Sequence, residues 1–531
     1  MRVAVEDYQV TEVPERHPSL FEPATFAVAV LLAVVGVVIG LELLTRVGIT
    51  PNTSIIGAIA AIGLARIPLG LSRRFSDVAR QNLLQTTISG ATFGGANGLL
   101  LPLGVVWLVG EPHLVGVMML GALMGVVIDA TILYAVFDSR IYPASGLWPA
   151  GIATAECLIA GDRGGTRGRL LAAGAVAGGV GQFLGVPMDV FGVCWIGNMW
   201  ALSMFGIGLL ARAYAPTVAG VDLNALYVPH GVMVGAGAVA MVQIVTAVLG
   251  RGRTPQTRDA GAAERHLGRN LARGFGAFVV AAALMALLGG LYGRMSFPML
   301  AGFVLFAATA ALVSELIVGI SAMHAGWFPA FATALIFLVL GMAIGFPPVP
   351  LALLVGFTAS TGPAFADMGY DLKTGWILRG RGRFPGFEAE GRRQQYLAEL
   401  LGLAVAAVFV LLFYESYFTR GLLPPVDRVY AATIAAGADP KLATALLVWA
   451  VPGALLQLVG GPTRQLGVLF ATGLLIYHPA AGWTALVSLA VRAGLLRWFG
   501  PAAEQPMYVL AGGFIAGSAL TSFGTATARA R

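Results

Sequence analysis

The sequence predicts an all-α, polytopic integral membrane protein. Of its 531 residues 57% are hydrophobic and only 11% charged, where a soluble domain carries roughly a quarter charged residues. Mean hydropathy is +0.81. The apolar residues gather into repeated runs near the ~20 residues that a helix needs to cross a bilayer. The 71 glycines suit helices that pack closely in lipid.

Taken in order, the first 24 residues mix Arg2 and Arg16 with Glu6, Asp7, Glu12, Glu15 and Glu22. They contain no apolar core of the kind a cleaved leader has, so the first apolar run is expected to remain as a span. Apolar runs follow near 25–45, 53–71, 83–109, 114–136, 168–188, 192–212, 226–249 and 271–292. Others lie near 296–320, 327–346, 349–367, 395–418, 441–459, 464–498 and 506–527, with a half-helix expected over 147–160. Some runs are long enough to hide two short helices. The expectation is about fourteen to sixteen crossings, re-entrant half-helices included.

The formal net charge is +7, and all but two of the 33 basic residues are arginine. They sit in short loops between spans, the pattern that orients a membrane protein rather than one that binds nucleic acid. One loop holds Arg73, Arg74 and Arg80, a second Arg163, Arg167 and Arg169, a third runs from Arg251 to Arg273 and a fourth from Arg379 to Arg393. The first, third and fourth are assigned to the cytoplasm together with the N-terminus, in the inner (cytoplasmic) membrane of the cell. Cys157 and Cys194 read as small core residues. His230, His324 and His478 are too dispersed for a metal-ligand spacing, so neither a metal site nor a cofactor is expected.

Internal repetition organises the chain. Gly40-Leu41-Glu42 resembles Val313-Ser314-Glu315, and Thr87-Ile88-Ser89 falls opposite Thr358-Ala359-Ser360. The stretch from Leu209 through Tyr214 to Gly220 pairs with Leu474 through Tyr477 to Gly482, and Tyr227-Val228 with Tyr508-Val509. All offsets are about 260 to 280 residues in one order, as a duplicated bundle predicts. The expected division is a cytoplasmic tail (1–24), a first membrane repeat (25–250), a basic cytoplasmic linker (251–270) and a second membrane repeat (271–531) with an extra helix at 271–292. Whether the repeats are inverted or parallel turns on an odd or even number of crossings between them, and the sequence leaves both open.

Carboxylates inside apolar runs are the first candidates for chemistry. Glu42, Asp129 and Glu315 lie well within spans, where an unpaired charge costs about 3 kcal/mol or more, so each must be paired, protonated or hydrated. A protonated carboxylic acid is what a proton-coupled carrier needs, and Glu42, Glu315 and Asp129 are the proton-coupling candidates. The plainer reading is a hydrogen bond to a neighbouring helix. Two segments, Gly90 to Gly98 and Thr358 to Pro363, are expected to unwind or kink their helices. Unwound backbone at membrane depth occurs where it lines a cavity, which makes Gln85, Asn97, Ser360, Thr361 and Asp367 substrate-binding candidates. Tyr214 and Tyr477 flank prolines at matching places and join them, against the competing reading of interfacial anchors.

The stretch Ala366-Asp367-Met368-Gly369-Tyr370-Asp371-Leu372-Lys373-Thr374-Gly375-Trp376 follows an apolar run almost without a break and holds one of only two lysines. Its core, Asp371 to Gly375, resembles the Asp-Leu-Lys-Thr-Gly signature of the oligopeptide transporter superfamily, which includes the yellow-stripe-like metal-chelate carriers. Gln81-Asn82-Leu83-Leu84-Gln85-Thr86 is similar to the family's Asn-x-x-Gln-Thr segment. Tyr142-Pro143 through Ala155-Glu156-Cys157-Leu158 is similar to its Pro-x-Gly and Ala-Glu-Val-Leu element, and Tyr227 to Gly237 to a late first-half helix of bacterial-type members. The family's usual Asn-Pro-rich segment is replaced by Gly319 to Trp327. The resemblance implies a secondary active transporter, not an enzyme, that moves small peptides or peptide-like metal chelates with proton coupling. Its partners would be that small solute and the bilayer, with a homodimer allowed by analogy. It gives Asp371 and Lys373 no derivable mechanism beyond a gate ion pair or a structural latch. The alternatives are a channel for another small solute or an intramembrane hydrolase. For the latter Tyr370-Asp371 lacks a Gly-x-Gly-Asp partner.

Overall fold

The computed structural model describes residues 10, 12–47, 53–65, 75–249, 262–326, 330–437 and 440–529. The start of the N-terminal tail, Arg73 and Arg74 of the first basic loop and residues 251–261 of the third lie outside the described residues.

The chain opens with α1 (Pro23–Val47), α2 (Thr53–Ala65) and α3 (Val78–Phe93), and a π-helical turn at Gly94–Leu100 carries α3 directly into α4 (Leu101–Leu108). Next come α5 (Val115–Val136), α6 (Pro149–Arg163), α7 (Gly165–Phe183), α8 (Met188–Ile196), α9 (Met199–Ala219) and α10 (Val228–Leu249). The second part runs α11 (Ala262–Leu288), α12 (Phe297–Ala325), α13 (Ala330–Ile344), α14 (Pro348–Ser360), α15 (Pro363–Leu378) and α16 (Pro385–Thr419). It closes with α17 (Pro425–Ala436), α18 (Pro440–Arg464), α19 (Leu466–Leu475), α20 (Pro479–Phe499) and α21 (Glu504–Arg529). Ten helical segments among the described residues are long and apolar enough to cross a membrane, and no strand occurs among them. The fold is the expected polytopic all-α one.

Local chemistry sets the boundaries. Proline begins many of the helices, where its missing N–H costs nothing, as at Pro149, Pro363, Pro385 and Pro479. Asp77 accepts from the Ala79 N–H to cap α3, and Asn198 accepts from Trp200 and Ala201 to cap α9. The Asn198 cap also parts α8 from α9 inside the apolar run 192–212. The run 464–498 is likewise two helices, α19 and α20, parted before the cap that His478 gives to Ala481. The half-helix expected over 147–160 is α6. Helix α11 begins at Ala262 and so takes up residues 262–270 of the expected linker.

The two glycine-bearing segments behave differently, and one departs from expectation. Gly90 to Gly98 does not unwind: glycine keeps its N–H, and the ladder continues through the π-helical turn. At Thr361-Gly362-Pro363 the helix does break. Pro363 cannot donate, and Gly362 adopts φ 102°, a conformation open essentially to glycine alone.

Helix pairs are held by small residues. In α7, Gly174 and Gly178 face Gly513 and Gly517 of α21 so closely that a Cβ on Gly178 would meet the Phe514 carbonyl, and one on Gly517 the Ala175 carbonyl. Packing and weak backbone contacts drive such association in lipid. Helix α10 approaches α18 in the same way. The stretch Pro348–Leu378 lies at the centre, buried along its whole apolar window. The signature motif therefore sits inside protein.

Candidate functional site

Two irregular backbones meet in the middle of the molecule. Gly98 of the π-helical turn lies against the Ser360 carbonyl at the α14–α15 break, and Gly125 of α5 sits beside the Ser360 and Thr361 side chains. One helical turn beyond Gly125, Asp129 accepts the N–H of Gly362 that the break leaves without a helical partner. The other face of this carboxyl meets Glu315 of α12, within hydrogen-bonding reach. Both residues are fully buried, and among the described residues no group other than the Asp129 carboxyl is placed to donate to Glu315. Two carboxyls so placed cannot both ionise; a shared proton makes the bond between them.

A second polar group fills the space between α2, α3, α15 and α16. Asp367 and Asp371 are one turn apart on α15, and Gln395 and Glu399 one turn apart on α16, so each pair shares a helix face. Asp367 Oδ1 accepts from Ser89 Oγ at 2.7 Å, and Asp371 Oδ1 from Gln85 Nε2 at 2.6 Å and Ser54 Oγ at 3.0 Å. Gln395 Nε2 donates to the Asp371 carbonyl at 2.6 Å and to Thr86 Oγ1 at 3.1 Å. Carboxylate oxygens of Asp367, Asp371 and Glu399 lie within 4.8 Å of one another.

A buried guanidinium stands on the far side of Gln395. Arg379 caps the C-terminal end of α15, where a cation is favoured, and is only 2% exposed. Its Nε and Nη2 take Glu388 at 2.8 and 3.2 Å, while Nη1 donates to Gln395 Oε1 at 2.7 Å. The Glu388 carboxylate is shared with Arg392 at 3.3 Å. The charge of Arg379 is thus balanced by Glu388, and amides alone link it to the carboxyl group: Gln395 to the Asp371 carbonyl, and Asn82 through Gln85 to the Asp371 carboxylate.

The sequence is matched over residues 23–253 and 246–529 by the model of a family described as OPT oligopeptide transporter protein. This chain belongs to that family. No curated protein matches it. Membership makes the chain a multi-pass transporter protein, and the Asp371 to Gly375 signature falls at the hub of this OPT protein.

Of the substrate-binding candidates, Gln85 and Asp367 join the α15–α16 group, and Asp371 with them. Ser360 and Thr361 lie at the break, where their hydroxyls donate to the Phe357 and Thr358 carbonyls that the interrupted helix leaves free. Asn97 is half-buried in the π-helical turn beside them. Tyr214 and Tyr477 are elsewhere, exposed at 42% and 69%, with Tyr214 accepting from Trp483 Nε1. The proton-coupling candidates divide: Asp129 and Glu315 come together, whereas Glu42 accepts from Tyr417 at 3.0 Å. Asp371 and Lys373 do not pair. Residues two apart point to opposite sides of a helix, and Lys373 donates to the Ala144 carbonyl at 2.8 Å and lies over the Trp376 ring.

Sequence reasoning missed Glu399, Gln395, Ser54, Ser89 and Arg379. By sequence Arg379 belongs to the fourth basic loop, but it is buried because Glu388 and Gln395 supply its partners. A signal did exist: Asp367/Asp371 and Gln395/Glu399 are polar pairs at a spacing of four within or beside apolar runs. Ser54, at the polar start of an apolar run after Asn52 and Thr53, offered none.

Proposed function

We propose that this OPT protein is a secondary active carrier that moves small peptides or peptide-like metal chelates, coupled to protons. The observation that carries the proton coupling is the buried Asp129–Glu315 pair. It sits where the α14–α15 span is broken and both irregular backbones converge, and broken spans are where carriers bind substrate and ion. A proton held between the two carboxyls is released when the α14–α15 break rearranges and water reaches them. The junction residues Ser360, Thr361 and the N–H of Gly362 are buried and Asn97 half-buried, and opening the junction from either side would present them to a peptide backbone.

Two further features support the reading. The order of helix lengths after α11 follows that before it, each element displaced by about 270 to 280 residues, and the contact of α7 with α21 has its counterpart in α10 with α18. A carrier built of two repeats in the cytoplasmic membrane accounts for both. The sequence also carries no Gly-x-x-x-x-Gly-Lys-Ser/Thr phosphate loop, which leaves an ion gradient as the source of energy.

The test is uptake into proteoliposomes under an inward proton gradient, with di- to hexapeptides alongside iron and copper amino-carboxylate chelates. Saturable, gradient-dependent accumulation of one class is expected, and Glu315→Gln should lose the response to the gradient while remaining folded. Flux that never saturates would make the protein a channel.

A further inference from the structure

We propose that Asp367, Asp371 and Glu399 bind one hard divalent cation, held by the protein as a structural or coupling ion and distinct from any metal in a transported chelate. Oxygens surrounding a single calcium-sized ion at 2.3–2.6 Å lie up to about 5 Å apart, and these three groups present oxygens within 4.8 Å of one another. The donor set is all oxygen, which suits Ca2+, Mg2+ or Mn2+ and disfavours ions that prefer thiolate or imidazole.

Hydrogen bonding shows where the lone pairs point. One oxygen of each aspartate is pinned by Ser89, Ser54 and Gln85, as outer-shell partners orient metal ligands. Glu399 is 0% exposed, and among the described residues neither of its oxygens has a hydrogen-bond partner, nor has Asp367 Oδ2. Gly90 makes room for Glu399: a Cβ there would stand 2.6 Å from Glu399 Oε2. A buried carboxylate with both oxygens unpaired is costly unless a proton or a cation meets it.

Charge selects the valence. Arg379 is committed to Glu388, and no basic side chain pairs with the three carboxyls among the described residues. A divalent ion against three carboxylates leaves one charge, which a single proton removes, whereas a monovalent ion leaves two. Bound there, the ion ties α15 to α16.

The experiment titrates Mn2+ into the full chain in nanodiscs after long equilibration and reads free Mn2+ by its EPR signal. One Mn2+ per chain is expected, displaced by Ca2+ or Mg2+, indifferent to Na+ at matched ionic strength, and weakened as protons compete at lower pH. Glu399→Gln and Asp367→Asn should each weaken binding at least about tenfold, while Glu315→Gln, whose carboxyl belongs to the other pair, leaves it unchanged. Absence of stoichiometric Mn2+ binding to monodisperse protein overturns the proposal. So does displacement by Na+, or wild-type affinity in a folded Glu399→Gln or Asp367→Asn protein. No transported substrate is needed, so this outcome is independent of the carrier reading.

Discussion

Replacing Arg379 with methionine removes a buried cation that links the end of α15 to α16. Methionine roughly keeps the length and apolar stem of the side chain, so the loss is chiefly electrostatic. Four contacts go: two to Glu388 at 2.8 and 3.2 Å, one to Gln395 at 2.7 Å and a long one to Asn82 at 3.5 Å. Breaking a buried ion pair from one side costs about 3–5 kcal/mol, because the remaining charge is left uncompensated. Glu388 keeps Arg392 at 3.3 Å, which places the loss near the lower end, about 3 kcal/mol or roughly a hundredfold in the unfolding equilibrium. Glu388→Gln alone should cost a comparable amount. Reversible unfolding in mixed micelles measures both, and the double variant should regain about 2 kcal/mol relative to additivity. Strict additivity, or an Arg379→Met protein as stable as wild type, would refute the buried-pair assignment.

Other consequences are more local. Lys373→Met and Asp371→Asn should each lower transport, yet their effects on stability should add within about 0.5 kcal/mol; a larger coupling energy would restore the gate ion pair. Gly517→Val forces a side chain into the Ala175 carbonyl and should destabilise the α7–α21 contact by about 1–3 kcal/mol, seen as a lower melting temperature in detergent. His17 packs beside Phe387 with Arg379 near, and burial first, then that arginine, lowers its pKa from 6.5 to about 4. The unfolded chain therefore holds the extra proton between about pH 4 and 6.5, so stability is full above 6.5 and falls as pH drops through that window. His17→Phe should flatten this part of the melting-temperature profile relative to wild type.

Much of the fold was legible because hydrophobic length is a local property. The runs at 114–136 and 395–418 became α5 and most of α16 with little change, and the Gly362-Pro363 dipeptide announced its break. The π-helical turn was not legible, since a glycine cluster without proline leaves the backbone free to continue. The site was half legible. Asp129, Glu315, Asp367 and Asp371 stood out as charges among apolar neighbours. Their partners did not, because Gln85 and Asp371 are 286 residues apart and only the packing of α3 on α15 joins them. Arg379 shows the same gap: its composition context is a basic loop, and only the fold turns it inward. Histidine spacing likewise argued against a metal site, but it is blind to carboxylates brought together from α15 and α16.

The most direct test of proton coupling through Asp129 and Glu315 is proton movement driven by substrate alone. Liposomes holding the protein and an internal pH dye, with no imposed gradient, are given an inward gradient of a transported peptide or chelate. The lumen should acidify in step with uptake for the wild type, and Glu315→Gln should show no acidification. Substrate entry with a steady internal pH in the wild type, or unaltered acidification in Glu315→Gln, would contradict the account.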